Sequence, residues 1–193
     1  FFDVGEPPNK SFSKSYQSGP LSFEYYLDGE KIITNCGFGS NISSKAELLS
    51  RLTSAQSTLT LGDTSVTKFE RNKLVNRIFG NSIKDSFRTN NLDFIEEKDQ
   101  IKFTASHNGY EKKFGCIHKR EISIDKLNGR LIGCDEIIKK KDGKPLNYSL
   151  RFHLYPGLTA IKTMGGNSVL IQISKNKSLV FTIIDESILL EKS

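Results

Sequence analysis

Three histidines, His107, His118 and His153, are the side chains of this 193-residue chain best suited to proton transfer or metal ligation. No two of them stand in the His-x-His or His-x-x-x-His spacing that would bring two imidazoles onto one face. His153 lies in the run Arg151-Phe152-His153-Leu154-Tyr155. The two-residue period of a strand puts Arg151, His153 and Tyr155 on one face, opposite Leu150, Phe152 and Leu154. That polar face either lines a carbohydrate groove or is a solvated or loop-covered sheet face. In a groove, Tyr would stack on sugar rings and Arg would pair with uronate carboxylates. His107 and Tyr110 bracket an Asn108-Gly109 turn, where they either join such a groove or cap the turn. No Ser/His/Asp order, Gly-rich phosphate loop or paired-carboxylate signature stands out.

Cys36, Cys116 and Cys134 have no CxxC spacing, and three thiols cannot all pair within one chain. Each falls in strand-like surroundings, so buried free thiols are expected.

The elements that must position these groups are mostly strands. Between Ser15 and Gly37, Leu21, Phe23, Tyr25 and Leu27 alternate with Ser22, Glu24, Tyr26 and Asp28, the period of a half-buried strand. Asp28-Gly29 is a two-residue hairpin turn, and Lys31 to Cys36 returns as its partner. Ser44 and Glu47 have capping-box spacing ahead of a short helix over 45–52. In FERNKLVNRIFG, Phe69, Leu74, Ile78 and Phe79 have helical spacing. Strands are expected at 57–61, 92–96, 101–106, 114–124, 130–138, 147–155, 158–163, 169–173, 179–184 and 188–190. The turns between them include Lys98-Asp99, Asn128-Gly129 and Asp142-Gly143. The pattern predicts an all-β chain, an antiparallel β-sandwich with one or two short helices, in one domain over 1–193.

Composition agrees with a globular class: 36% hydrophobic residues, 13 Phe and no Trp. The net charge of +6 and isoelectric point near 9.1 could favour an acidic polymer. The basic residues read as scattered over turns and outward strand positions. The one tight run, Lys139-Lys140-Lys141, reads as a solvated hairpin tip. No basic–aromatic strand motif points to nucleic acid, and no run of 18 apolar residues points to membrane insertion.

Several segments, taken in order, resemble the C-terminal β-sandwich of heparinase II/III-like polysaccharide lyases. They are Asp3-Val4-Gly5-Glu6-Pro7-Pro8, Leu21-Ser22-Phe23-Glu24, Asn35-Cys36-Gly37 and Ser54-Ala55-Gln56-Ser57-Thr58. They continue with His107-Asn108-Gly109-Tyr110, Ile117-His118-Lys119-Arg120 and Arg151 to Gly157, covering nearly the whole chain. Many members read His-x-His-x-Asp-x-Leu-Ser-Phe at the first strand and Ala-His-Asn-Thr or Ala-His-Ser-Thr at the third segment. By the resemblance, Ser15 stands at the catalytic His position. Gln17, Asn35 and Gln56 stand at the positions of a zinc-binding His, Asp and His.

Neutral amides are poor zinc donors, so the family's zinc is expected to be absent and no cofactor is expected. The three amides either hydrogen-bond to one another and tie the same strand ends, or are simply exposed. The resemblance further implies that the chain is a fragment lacking an N-terminal (α/α) toroid, which would be its partner in the full-length protein. The family's base and carboxylate-binding groups come from that toroid, so the fragment alone is expected to be inactive. The implied parent is a lyase that eliminates across a uronate in an acidic polysaccharide, placed in the cell envelope or periplasm. The alternative is a domain that binds an envelope glycan and has lost the zinc and the catalytic His.

Overall fold

The computed structural model describes residues 1–140, 147–184 and 186–191. Among these, twelve strands form antiparallel sheets, with three short α-helices between them. The strands are β1 (Tyr25–Leu27), β2 (Glu30–Thr34), β3 (Leu59–Leu61), β4 (Thr89–Glu96), β5 (Gln100–His107) and β6 (Cys116–Asp125). They continue with β7 (Arg130–Lys139), β8 (Tyr148–Leu150), β9 (His153–Leu154), β10 (Thr159–Lys162), β11 (Ser168–Ser174) and β12 (Lys177–Thr182). The helices are α1 (Ser44–Ser50), α2 (Lys73–Phe79) and α3 (Glu111–Phe114). The fold is an all-β sandwich.

The largest sheet runs β4-β5-β6-β7, each strand antiparallel to the next. Its inner face packs on two apolar clusters. One gathers Phe23, Ile32, Ile33, Ile122, Val169 and Ile171, joining sheet β1-β2-β9, sheet β10-β11-β12 and β6. The other gathers Leu59, Leu61, Val66, Phe87, Tyr110 and Cys116, joining the β3-β8 pair to the opposite end of β6. β6 alternates along both: Cys116, His118, Arg120 and Ile122 face inward and are buried. Its two apolar residues feed the two clusters, and the polar pair between them faces the gap.

Several expectations are corrected by tertiary contacts. Strand character begins only at Tyr25, because Leu21 takes a left-handed backbone (φ 57°) after Gly19-Pro20 and residues 21–24 pair with the chain start. In that pairing the Asp3 N–H donates to the Ser22 carbonyl, the Asp3 carbonyl accepts the Leu21 N–H, and Phe2 bridges Phe23. The cap of α1 is Ser43, one residue early, its Oγ accepting the Ala46 N–H at 3.0 Å. Residues 147–155 are two strands in different sheets, and 188–190 is not a strand. Cys116 is buried, but Cys36 lies past the end of β2 and Cys134 points outward from edge strand β7, so both are exposed. The predicted hairpin tip at Asp142-Gly143 lies outside the described residues. The Asp28-Gly29 turn does form, both residues taking positive φ (51° and 86°).

Candidate functional site

Gln17, Asn35 and Gln56 come together at the open end of the β1-β2 hairpin, and each bonds to main chain. Gln17 Nε2 donates to the Cys36 carbonyl (2.8 Å) and at 3.3 Å to the Ser50 carbonyl. Gln56 Nε2 donates to the same Ser50 carbonyl at 2.8 Å. Asn35 Oδ1 accepts the Ser57 N–H at 2.8 Å. The amides therefore converge without direct amide–amide bonds among the described residues. They clamp the end of α1, the end of β2 and the 53–57 turn to one another. Gln56 is buried, Gln17 and Asn35 are half-buried, and Ser15 is exposed. Gly19 sits against Gln56, where a Cβ would lie 2.9 Å from its Cγ, so only glycine lets the amide pack there.

Ser57 joins this cluster to the Arg151–Tyr155 segment. Its Oγ donates to the Thr34 carbonyl at 2.6 Å and accepts the His153 N–H at 2.9 Å. The His153 imidazole donates from Nε2 to the Ser54 carbonyl at 3.1 Å. Arg151 is half-buried, donating to Thr60 Oγ1 and lying 3.7 Å from the Asp63 carboxylate. Tyr155 is exposed. Phe152 and Leu154 turn the other way, into the first apolar cluster. Arg151, His153 and Tyr155 thus form a polar ledge beside the three amides.

His107 and Tyr110 are not on that ledge; both are wholly buried, which removes them from any surface a glycan could touch. Tyr110 donates to the Leu59 carbonyl at 2.9 Å, and burial pushes its phenol well above its ordinary range. His107 lies directly across the β5-β6 ladder from His118. The Gly109 N–H donates to His107 Nδ1 (3.1 Å), which leaves its proton on Nε2 to donate to His118 Nδ1, also at 3.1 Å. His118 in turn donates from Nε2 to Asp135 Oδ1 at 2.6 Å. Arg120 completes the line with donations to Asp135 Oδ1 (2.7 Å) and Oδ2 (3.1 Å), and from Nη1 to the carbonyls of Leu21 (2.8 Å) and Ser57 (2.9 Å).

Burial, together with the Arg120 charge and the repulsion two imidazolium rings would exert on each other, holds His107 well below its ordinary pKa, and burial lowers His118 despite its bond to Asp135. Burial raises Asp135, but the Arg120 charge and the bonds from His118 and Arg120 outweigh it and keep the carboxyl below its usual range. The chain of donors therefore carries two neutral imidazoles ending on one ion pair. Local spacing hides this network. The signal for it was the β5-β6 register, which sets His107 against His118, together with the β6-β7 register, which sets Arg120 against Asp135.

The comparisons with known proteins agree with this architecture. The family model for the heparinase II/III-like C-terminal domain matches residues 1–193. "FtsZ-localized protein C" of Caulobacter vibrioides (strain NA1000 / CB15N) is 25% identical over 182 residues, which is 90% of this chain and 31% of that protein. The chain thus spans about a third of that relative's length. No solved structure matches. The sandwich and the match over its whole length place this chain in the heparinase II/III-like C-terminal domain family.

Proposed function

We propose that this domain contacts an acidic, uronate-containing envelope polysaccharide without cleaving it, and that it does so without zinc. The observation that carries the reading is how the three amides are used. Two send their NH2 groups to main-chain carbonyls and the third gives its oxygen to a main-chain N–H. Such donors do not fit zinc, which takes imidazole, thiolate or carboxylate. Ser15, exposed and hydroxylic, has no imidazole to offer as a base at its position. What remains beside the amides is the ledge. Arg151 can pair with a uronate carboxylate in a fork and Tyr155 can stack on a sugar ring, while His153 is tied to Ser54 and orients the backbone between them.

A second reading is favoured by family membership. In it the full-length protein is a lyase whose base and carboxylate-neutralising group come from an N-terminal toroid, this domain forming one wall of the cleft. Incubation of the full-length protein with heparan sulfate, hyaluronan and alginate separates the two. The first reading expects retention on at least one polymer and no unsaturated-uronate absorbance, with Arg151→Ala and Tyr155→Ala each weakening retention. Absorbance that grows with time would establish the lyase instead. The melting temperature is expected to be unchanged by added zinc or by EDTA. A zinc-dependent rise would overturn the reading of the amides.

A further inference from the structure

The positive charge of this chain is not scattered. Residues 9–14 and 67–84 hold seven basic side chains, Lys10, Lys14, Lys68, Arg71, Lys73, Arg77 and Lys84, against the single acid Glu70. That excess of six equals the net charge of the whole chain, +6, so the remaining residues balance to zero. Asp85, next along the chain, is half-buried with its carboxylate turned to the Lys68 N–H.

The two segments pack against each other, with Lys10, Lys14, Lys68, Arg71, Arg77 and Lys84 exposed. Glu70 lies between Lys10 (3.9 Å) and Lys84 (3.6 Å). Ser13 Oγ accepts the Ile83 N–H at 2.9 Å, and the Lys14 stem lies against Gly80 at the end of α2.

Three apolar side chains stand out of this basic surface. Leu74 and Ile78, four apart on α2 and so on one face, are each 75% exposed, and Phe12 on the neighbouring turn is 79% exposed. Asn72 caps α2 through Oδ1, which accepts the Leu74 N–H at 2.9 Å, so the helix presenting the pair is anchored at its start. A short helix in a globular domain ordinarily turns such a pair into the core. Here the core-facing contact of the segment is made ahead of the helix by Phe69, buried beneath the Arg51 guanidinium (4.3 Å from the ring centre).

We propose that this surface docks on an anionic lipid bilayer, with Leu74, Ile78 and Phe12 entering the interface and the surrounding Lys and Arg lying at the headgroups. Charge complementarity selects the partner's sign. Side chains that project, rather than line a groove, suit a soft planar partner more than a folded peptide. The domain would lie on the membrane; among the described residues no helix is long and apolar enough to cross it. The inference concerns a surface other than the glycan ledge and stands independently of it.

The test is co-sedimentation of the purified protein with vesicles of phosphatidylcholine alone or mixed with phosphatidylglycerol. The protein is expected to pellet with the anionic vesicles and not with phosphatidylcholine, and less so as salt rises. Arg71→Ser with Arg77→Ser is expected to lower partitioning by about 30-fold. Leu74→Gln with Ile78→Gln leaves charge and helix propensity in place and is expected to lower it by about tenfold or more. Phe12→Ser, outside the helix, is expected to weaken binding with an unchanged circular dichroism spectrum. Equal binding to both vesicles, or to neither, would overturn the proposal. So would binding that survives the Leu74/Ile78 change and is displaced by heparin or DNA, which would identify a site for polyanions instead.

Discussion

Ser57 bonds to more of the site than any flanking residue of its turn. Its N–H reaches the amide cluster, its hydroxyl spans Thr34 and His153, and its carbonyl receives Arg120. Arg120 is the costlier of the two to lose. It is buried, it answers the Asp135 carboxylate with two bonds, and it donates to the carbonyls of Leu21 and Ser57. Arg120→Ala would leave that largely covered carboxylate without its cation, and is expected to cost about 3–5 kcal/mol in chemical denaturation. The histidines set a pH dependence of known sign. Their folded pKa values lie below those of the unfolded chain, so the unfolded state binds more protons as the solution acidifies. Stability is then fully present above about pH 6.5 and falls as pH drops through that value, with Asp135 adding a further loss below about pH 4. Denaturant midpoints at a series of pH values check this. A midpoint flat between pH 7 and pH 5 would contradict the neutral pair.

At the scale of elements, short strands are held by turns with little steric slack. Gly109 follows β5, and a Cβ there would lie 2.2 Å from Val66 Cγ1 and 3.0 Å from His107 Nδ1. Gly109→Ala is therefore expected to cost about 1–3 kcal/mol through overpacking, read as a lower melting temperature. Val66→Ala in the same chain should return part of that loss, although alone it opens a cavity and destabilises. Helix α2 is held differently. Its cap is local, its Leu74 and Ile78 bury little, and Asn72→Ala should lower stability by about 1 kcal/mol. Hydrogen exchange in residues 73–79 should quicken in that variant before the sheets respond.

Over the whole molecule, β6 is the common wall of both apolar clusters, with Cys116 in one and Ile122 in the other. Between them, Arg120 bonds to Leu21 from the hairpin side and Ser57 from the turn leading to β3. Neither cluster can open without exposing the inner face of β6, so unfolding is expected to be a single cooperative transition. Near-ultraviolet and far-ultraviolet signals should coincide through it. Two separated transitions would mean that the clusters fold as independent units.

How much of this was legible in advance varies with the range of the interaction. The sequence by itself determined the alternating strands of β5, β6 and β7, the Asp28-Gly29 and Asn128-Gly129 turns, a short helix where α1 forms, the helical spacing of Phe69, Leu74, Ile78 and Phe79, and the family pattern. Each of these is written in neighbours a few residues apart, through backbone preference and hydrophobic period. It also marked Gln17, Asn35 and Gln56 as a group, but only by resemblance. Tertiary structure alone decided that they meet around the Ser50 carbonyl and the Ser57 amide. It alone set His107 against His118 and Arg120 against Asp135, partners fixed by strand register rather than spacing. It also sent Leu74 and Ile78 outward while Phe69, ahead of the helix, packs inward beneath Arg51. Burial and register are properties of the packed chain, and a linear period records which residues share a face without recording what that face will meet.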